Sequence, residues 1–396
     1  MINEQFKQML GAKSVIRELS EYATKRGTEI GYDNVFDYSL GNPSVPCPDS
    51  YTEAVLDIHQ NMNPMEIHGY SPSTTLPSAR QAVADSLNER FQMDYAMEHI
   101  FMTSGAAGAL AHALRAVTKP GDKVITFAPF FPEYIPYVTG CGDELVVVPA
   151  NTEDFQINFE AFKDMLTEDV MAVLINTPNN PSGVVYSKET IQEMARILQE
   201  AQDRFGHDIF LISDEPYREI LFDGETYTYP SKFYDNTLSC YSFSKSLSLP
   251  GERIGYVAVN PRATDADILV AIMAQISRGI GHNCPSSSVQ LAVSRALDDT
   301  SDLSVYETNM NILYDELVKL GFNVVRPGGT FYIFPQALEE DAVAFCQKAK
   351  EYDLILVPSD SFGVKGYFRM AYCIDTEKVR RSVEALRRFI ETEYKR

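Results

Sequence analysis

The sequence predicts an α/β fold: a mostly parallel, mixed sheet flanked by helices, with a smaller α+β domain following it. From about residue 98, short β-branched runs alternate with longer helical patterns, the signature of a sheet covered on both faces. Polar residues directly follow several of those runs, where open α/β sheets hold their ligands. After about residue 300 the pattern changes to long helices and short strand pairs.

The elements follow in order. HIFMTS (99–104) reads as a strand and GAAGALAHALRAV (105–117) as a helix opened by glycine. KVITFAPF, ELVVVPA, MAVLINTP, DIFLISDEP, LSCYSFS and RIGYVAV are further strands. Between the third and fourth of these, KETIQEMARILQEAQDRFG is an amphipathic helix closed by a glycine. Beyond residue 300, SVYETNMNILYDELVKLG is a helix, NVVRP and TFYIFP are short strands, and EDAVAFCQKAKEYD is a helix. LILVP and YFRMAYC form a strand pair, and TEKVRRSVEALRRFIETEY is a terminal helix. The expected division is an N-terminal segment, 1–45, joining the small domain; a large domain, 46–300; and a small α+β domain, 301–396.

Bulk properties exclude several function classes. At 396 residues and 44.4 kDa the chain is long enough for two domains. A net charge of −21 would be repelled by a phosphate backbone or an anionic membrane, so neither is expected as a partner. Six scattered cysteines without a CxxC pair suit reduced thiols in a cytoplasmic protein. The first 26 residues are charged and amphipathic with no apolar h-region, and no run reaches the roughly 18 apolar residues of a bilayer span. No GxGxxG follows the first strand, which disfavours a nicotinamide dehydrogenase.

YSFSKSLSLPGERIGY (241–256) sets a lysine, Lys245, between two apolar runs with an arginine, Arg253, eight residues on. A lysine drawn out of water needs a chemical reason. Asp214, Asn180 and Lys245 all follow apolar runs, and Gly105 opens a helix after one. One ligand would account for them together: an aldehyde for the lysine, a phosphate for the helix start and a basic nitrogen for the aspartate. Pyridoxal 5′-phosphate has all three.

The chain resembles a fold-type I pyridoxal-phosphate aminotransferase of class I/II, aspartate aminotransferase-like, over nearly its whole length. SFSKSLSLPGERIG is similar to the family's lysine motif, implying Lys245 as the imine lysine and proton shuttle, with Ser242, Ser244 and Arg253 on the phosphate. SDEPYRE resembles the Asp-x-x-Tyr segment, implying Asp214 beside the pyridine nitrogen and Tyr217 on the ring's phenolic oxygen. NNPSG resembles Asn-Pro-x-Gly, implying that Asn180 also meets that oxygen. SGAAGAL resembles the phosphate cup, with backbone amides from Gly105, Ala106 and Ala107. APFFPEY implies that Phe131 stacks on the ring. FRMAYC implies that Arg369 grips the substrate α-carboxylate, and YSLGNPSVP that Gly41 lies against the substrate. HGYSPSTTLPSARQAV implies that Tyr70 reaches the partner's site in a homodimer.

The resemblance implies transfer of an amino group between an L-amino acid and a 2-oxo acid, with Lys245 as general acid and base. QISRGIGHNCPSSS resembles the stretch where one aspartate aminotransferase subgroup carries a distal arginine, implying Arg278 as a side-chain selector donated across the dimer. His282 and Cys284 depart from that pattern, and a structural ion pair or helix-terminal charge is the alternative. Aspartate with 2-oxoglutarate is therefore the expected pair. A carbon–sulfur β-lyase on the same scaffold is the alternative. A non-catalytic regulator is disfavoured by the catalytic lysine and the acidic charge.

Overall fold

The computed structural model describes residues 2, 4, 7 and 14–395. The amphipathic reading of the first 13 residues therefore lies largely outside the described residues. The strands of the first three quarters are β1 (Phe36–Asp37), β2 (Ile100–Thr103), β3 (Lys123–Phe127), β4 (Glu144–Val148) and β5 (Val170–Asn176). They continue with β6 (Phe210–Asp214), β7 (Thr237–Ser242) and β8 (Gly255–Val259). Seven of them form one sheet in the order β2-β8-β7-β6-β5-β3-β4. β8 runs antiparallel to both of its neighbours, and the remaining pairings are parallel.

Local sequence explains these elements. β5 is nearly all apolar and buried, as a central parallel strand covered on both faces must be. Helix α1 (Val15–Ile30) shows the opposite pattern, burying only Leu19, Ala23 and Gly27. Helix α2 (Gly105–Val117) starts at a glycine with φ +76°, a left-handed conformation that favours glycine. Helix α3 (Lys188–Phe205) is capped by the Ser187 hydroxyl, which accepts from the Thr190 N–H at 3.0 Å, and closes on Gly206 at φ 74°. Its stripe Ile191, Met194, Leu198 and Ala201 packs on the sheet.

Helices α4 (Ala266–Ile280) and α5 (Ser304–Leu320) precede the smaller strands β9 (Tyr332–Ile333), β10 (Leu354–Ile355), β11 (Val357–Pro358) and β12 (Phe368–Ala371). Helix α6 (Thr376–Glu393) ends the fold. An antiparallel sheet runs β11-β12-β9, and β1 pairs in parallel with β10. Leu313, Leu317, Phe345, Phe368, Leu386 and Phe389 fill the core beneath α5 and α6.

The strand expected at NVVRP does not form; residues 323–327 are irregular. Pro327 lacks a donor, and the Gly328 and Gly329 N–H groups turn to the Gly183 carbonyl, each at 3.0 Å. What pairing remains just beyond residue 327 is an isolated antiparallel bridge between Gly329 and Leu221. Among the described residues, no helix is long and apolar enough to cross a membrane.

Candidate active site

β5, β6 and β7 run parallel, so their last residues share one edge of the sheet: Asn176, Asp214 and Ser242. β2 ends at Thr103 on the same edge and hands over to α2 at Gly105. A cavity of about 740 Å³ opens above them, the position that open α/β sheets reserve for ligands.

Lys245 stands in the short turn after β7 and lines the cavity. Its Nζ donates to the Gly41 carbonyl at 2.7 Å. Burial lowers its pKa to about 8, with Arg253 and Arg369 pushing the same way and the Cys373 thiol opposing. A neutral amine is thereby available near neutrality, as a nucleophile or a proton acceptor.

Asp214 closes β6 on the cavity floor. Burial raises its pKa to about 7; the Tyr134 hydroxyl, donating to Oδ2 at 2.6 Å, works against that rise, and Glu215 adds to it. Asn176 donates to the Asp214 carbonyl at 2.9 Å. Oδ1 of Asp214 is buried without a partner. Such an oxygen calls for a cationic N–H in the cavity.

The other side chains ring this pair. Asn180 accepts from Arg369 Nη1 through Oδ1 at 2.9 Å, which leaves its own N–H groups for a ligand. Its backbone N–H donates to Asn176 Oδ1 at 2.7 Å, so Asn176 ties Asp214 to Asn180. Arg369, in β12, is 1 % exposed, also donates to the Ser39 carbonyl, and has an unpartnered Nε. Tyr217 lies 3.2 Å from the Tyr332 hydroxyl. Phe131 lines the wall, and a Cβ at Gly41 would collide with the Tyr332 hydroxyl.

The Arg253 end of the cavity is built from the α2 start and the turn after β7. Ala106 and Ala107 line the cavity, and Gly105 lies beneath Arg253: a Cβ there would sit 3.0 Å from Nη2. Ser242 Oγ accepts from the Ser244 N–H at 3.2 Å, and both serines line the same wall. Gly255, the glycine after Ile254, starts β8 opposite Thr103 and Ser242. A Cβ there would strike the Tyr241 carbonyl and come within about 3 Å of Gly105.

Two expected residues lie outside this chain's cavity. Tyr70 is fully exposed, and Arg278 is exposed in the last turn of α4. Sequence reasoning missed Asn176, Tyr134 and the α1 wall. Asn176 ends an apolar run just as Asp214 does, so the strand-end rule could have found it. Tyr134 and α1 are brought in by packing alone.

A pyridoxal phosphate ligand fits these residues: an orphaned carboxylate oxygen for a ring N–H, a side-chain-free cradle under Arg253 for a phosphate, and a lysine poised for an aldehyde.

Comparison with known proteins agrees. The profile of the family "Aminotransferase class I and II" matches residues 33–386. The chain is 29% identical over 371 residues to a probable N-acetyl-LL-diaminopimelate aminotransferase of Bacillus subtilis, covering 91% of this chain and 90% of that one. It is 28% identical over 368 residues to an aspartate aminotransferase of Thermotoga maritima, covering 91% and 92%. A crystal structure of an aminotransferase from Eubacterium rectale superposes with a TM-score of 0.96 at 41% identity, covering 100% of this chain and 99% of the other. The chain belongs to aminotransferase class I and II, and it is a pyridoxal-phosphate-dependent aminotransferase of fold type I.

Proposed function

We propose that this aminotransferase moves the amino group of L-aspartate to 2-oxoglutarate, in the cytoplasm, as a homodimer with shared sites. Bound pyridoxal phosphate supplies an aldehyde for primary amines and a ring that delocalises charge from the substrate α-carbon. Lys245 would hold that aldehyde, and its free amine would carry a proton at the substrate α-carbon, a task suited to an amine with a pKa of about 8. Asp214 would accept the ring N–H through Oδ1, with Tyr134 orienting the carboxylate and Asn176 holding the Asp214 backbone carbonyl. Tyr217 and Asn180 donate to the phenolic oxygen, and Phe131 packs on the ring. Ser242, Ser244, Arg253 and the amides of Gly105, Ala106 and Ala107 hold the phosphate. Arg369 binds the α-carboxylate as a bidentate pair, and Gly41 leaves room beside it.

The observation that carries this reading is the unpartnered Oδ1 of Asp214 in the same cavity as a half-buried lysine. Relatives described as aspartate aminotransferases support the substrate assignment. Tyr70 supports the dimer: it is fully exposed, and its neighbour Ser71 contacts Cys284 at 2.9 Å, in the loop after Arg278's helix. Both residues therefore occupy a face that a second copy can cover, with Tyr70 reaching the partner's phosphate site. Six free cysteines support a reducing compartment.

A half-reaction screen tests the proposal. Holoenzyme is mixed with each amino acid and the loss of its visible absorbance is followed. Aspartate and glutamate are expected to react fastest; faster reaction with aromatic or aliphatic amino acids rejects the substrate assignment. Pyruvate released from a thioether amino acid without any 2-oxo acid would assign the β-lyase reaction instead.

A further inference from the structure

We infer that the distal carboxylate of the substrate is read by Arg17 of α1 in the same chain, rather than by Arg278. This rests on the aminotransferase reading and names the side-chain subsite of that cavity. Three cations lining the cavity already have work: Lys245, Arg253 and Arg369. Two more, Arg17 and Lys25, come from α1; Arg278, exposed at the end of α4, would enter only a second copy's cavity. α1 buries Leu19, Ala23 and Gly27 on one side and lines the cavity with Arg17, Ser20, Glu21 and Thr24 on the other. A polar wall facing the space left for a substrate side chain suits a polar side chain.

The same helix carries one acid on that wall, Glu21, four residues after Arg17 and four before Lys25. On a helix, an acid pairs better with a base four residues further on than with one four residues before. That preference favours Lys25 over Arg17 as the partner of Glu21 and so leaves Arg17 the freer of the two cations, although Glu21 forms an ion pair with neither among the described residues. Among the described residues, Arg17 forms no ion pair. Ser14 and Ser20, three residues to either side, also line the cavity, and each has a hydroxyl for the same carboxylate. A planar guanidinium can take that carboxylate bidentately.

The wall is fixed to the elements that carry Arg369. Arg26 of α1 donates to Asp353 at 2.8 Å, just before β10, and Lys378 of α6 donates to the Tyr32 carbonyl at 2.7 Å. Arg17 and Arg369 thus line one cavity from elements tied to each other, and on this inference each takes one carboxylate of the substrate.

The test is calorimetric titration of holoenzyme with succinate and with propionate, unreactive acids that differ by one carboxylate. Arg17→Ala is expected to weaken succinate about tenfold or more, the worth of one charge-assisted pair, and propionate by less than about twofold. Arg17→Lys should fall between wild type and alanine, and Glu21→Gln should hold or tighten succinate. Equal losses for both acids, no loss, or a succinate-specific loss confined to Lys25→Ala or Arg278→Ala overturns the inference. The cofactor reading fails separately: wild-type holoenzyme would then show no absorbance change with any amino acid.

Discussion

Asp214 and Arg17 line the same cavity, yet they are held there on different terms. Asp214 ends a strand whose neighbours on both sides are hydrogen-bonded, and Tyr134, Asn176 and Glu215 surround its carboxylate. Arg17 stands exposed on a helix that buries three residues. The floor is preorganised in low dielectric, where a fixed donor or acceptor acts strongly and small displacements are costly. The α1 wall is wet and sparsely packed, so its charges are screened and it can differ in sequence without disturbing the sheet. On the proposed reading, the floor governs the chemistry and the wall governs which substrates are accepted.

The largest effect expected on the floor is that of Lys245→Ala. Single-turnover transamination should fall by on the order of 10⁴-fold, the upper range for a positioned acid–base group, with the far-ultraviolet dichroism unchanged. A loss under about tenfold would move the proton transfer to another group.

Arg369→Lys comes next. It keeps the charge but loses the planar fork, and KM for the amino acid should rise by about 10- to 100-fold with kcat less affected. If kcat fell instead, Arg369 would belong to the floor's chemistry rather than to binding.

Tyr134→Phe separates support from contact. It removes the donor that holds Asp214 down, so the carboxyl should move further up from about 7. An acid with a raised pKa is neutral over more of the pH range, so cofactor retention should weaken by roughly tenfold and recover as pH rises. Retention is read from cofactor fluorescence after dialysis. Loading through Lys245 has the same sign: uptake of cofactor by apoprotein should speed up with pH and level off above about 8, as the amine loses its proton.

Gly105→Ala should have the smallest effect. At φ +76° an alanine costs roughly 1–2 kcal/mol, and its Cβ crowds Arg253. A drop in melting temperature with a matching loss of phosphate affinity is expected. Loss of stability alone would place Arg253 away from the phosphate.

Much of the floor was legible in the sequence because it obeys a local rule: ligand-facing residues sit where an apolar run ends. Asp214, Lys245 and Gly105 could be found that way, and Asn176 could have been. The strand at NVVRP was misread because its apolar residues look like a strand, whereas the Gly328 and Gly329 donors are committed to Gly183. Tyr134 and α1 carry no local mark, since what matters in them is the partner they meet, 80 residues away in the case of Tyr134 and Asp214.

The succession along the chain of the strands in the large sheet, the lysine–arginine spacing and the glycines were determined by the sequence alone, because backbone periodicity and side-chain chemistry act over a few residues. Only the tertiary structure decided that Asp214 keeps one unpaired oxygen, that Arg369 reaches Asn180 across 189 residues, and that α1 walls the cavity. Those facts depend on burial and on distances between segments far apart in the chain, and no local pattern encodes them.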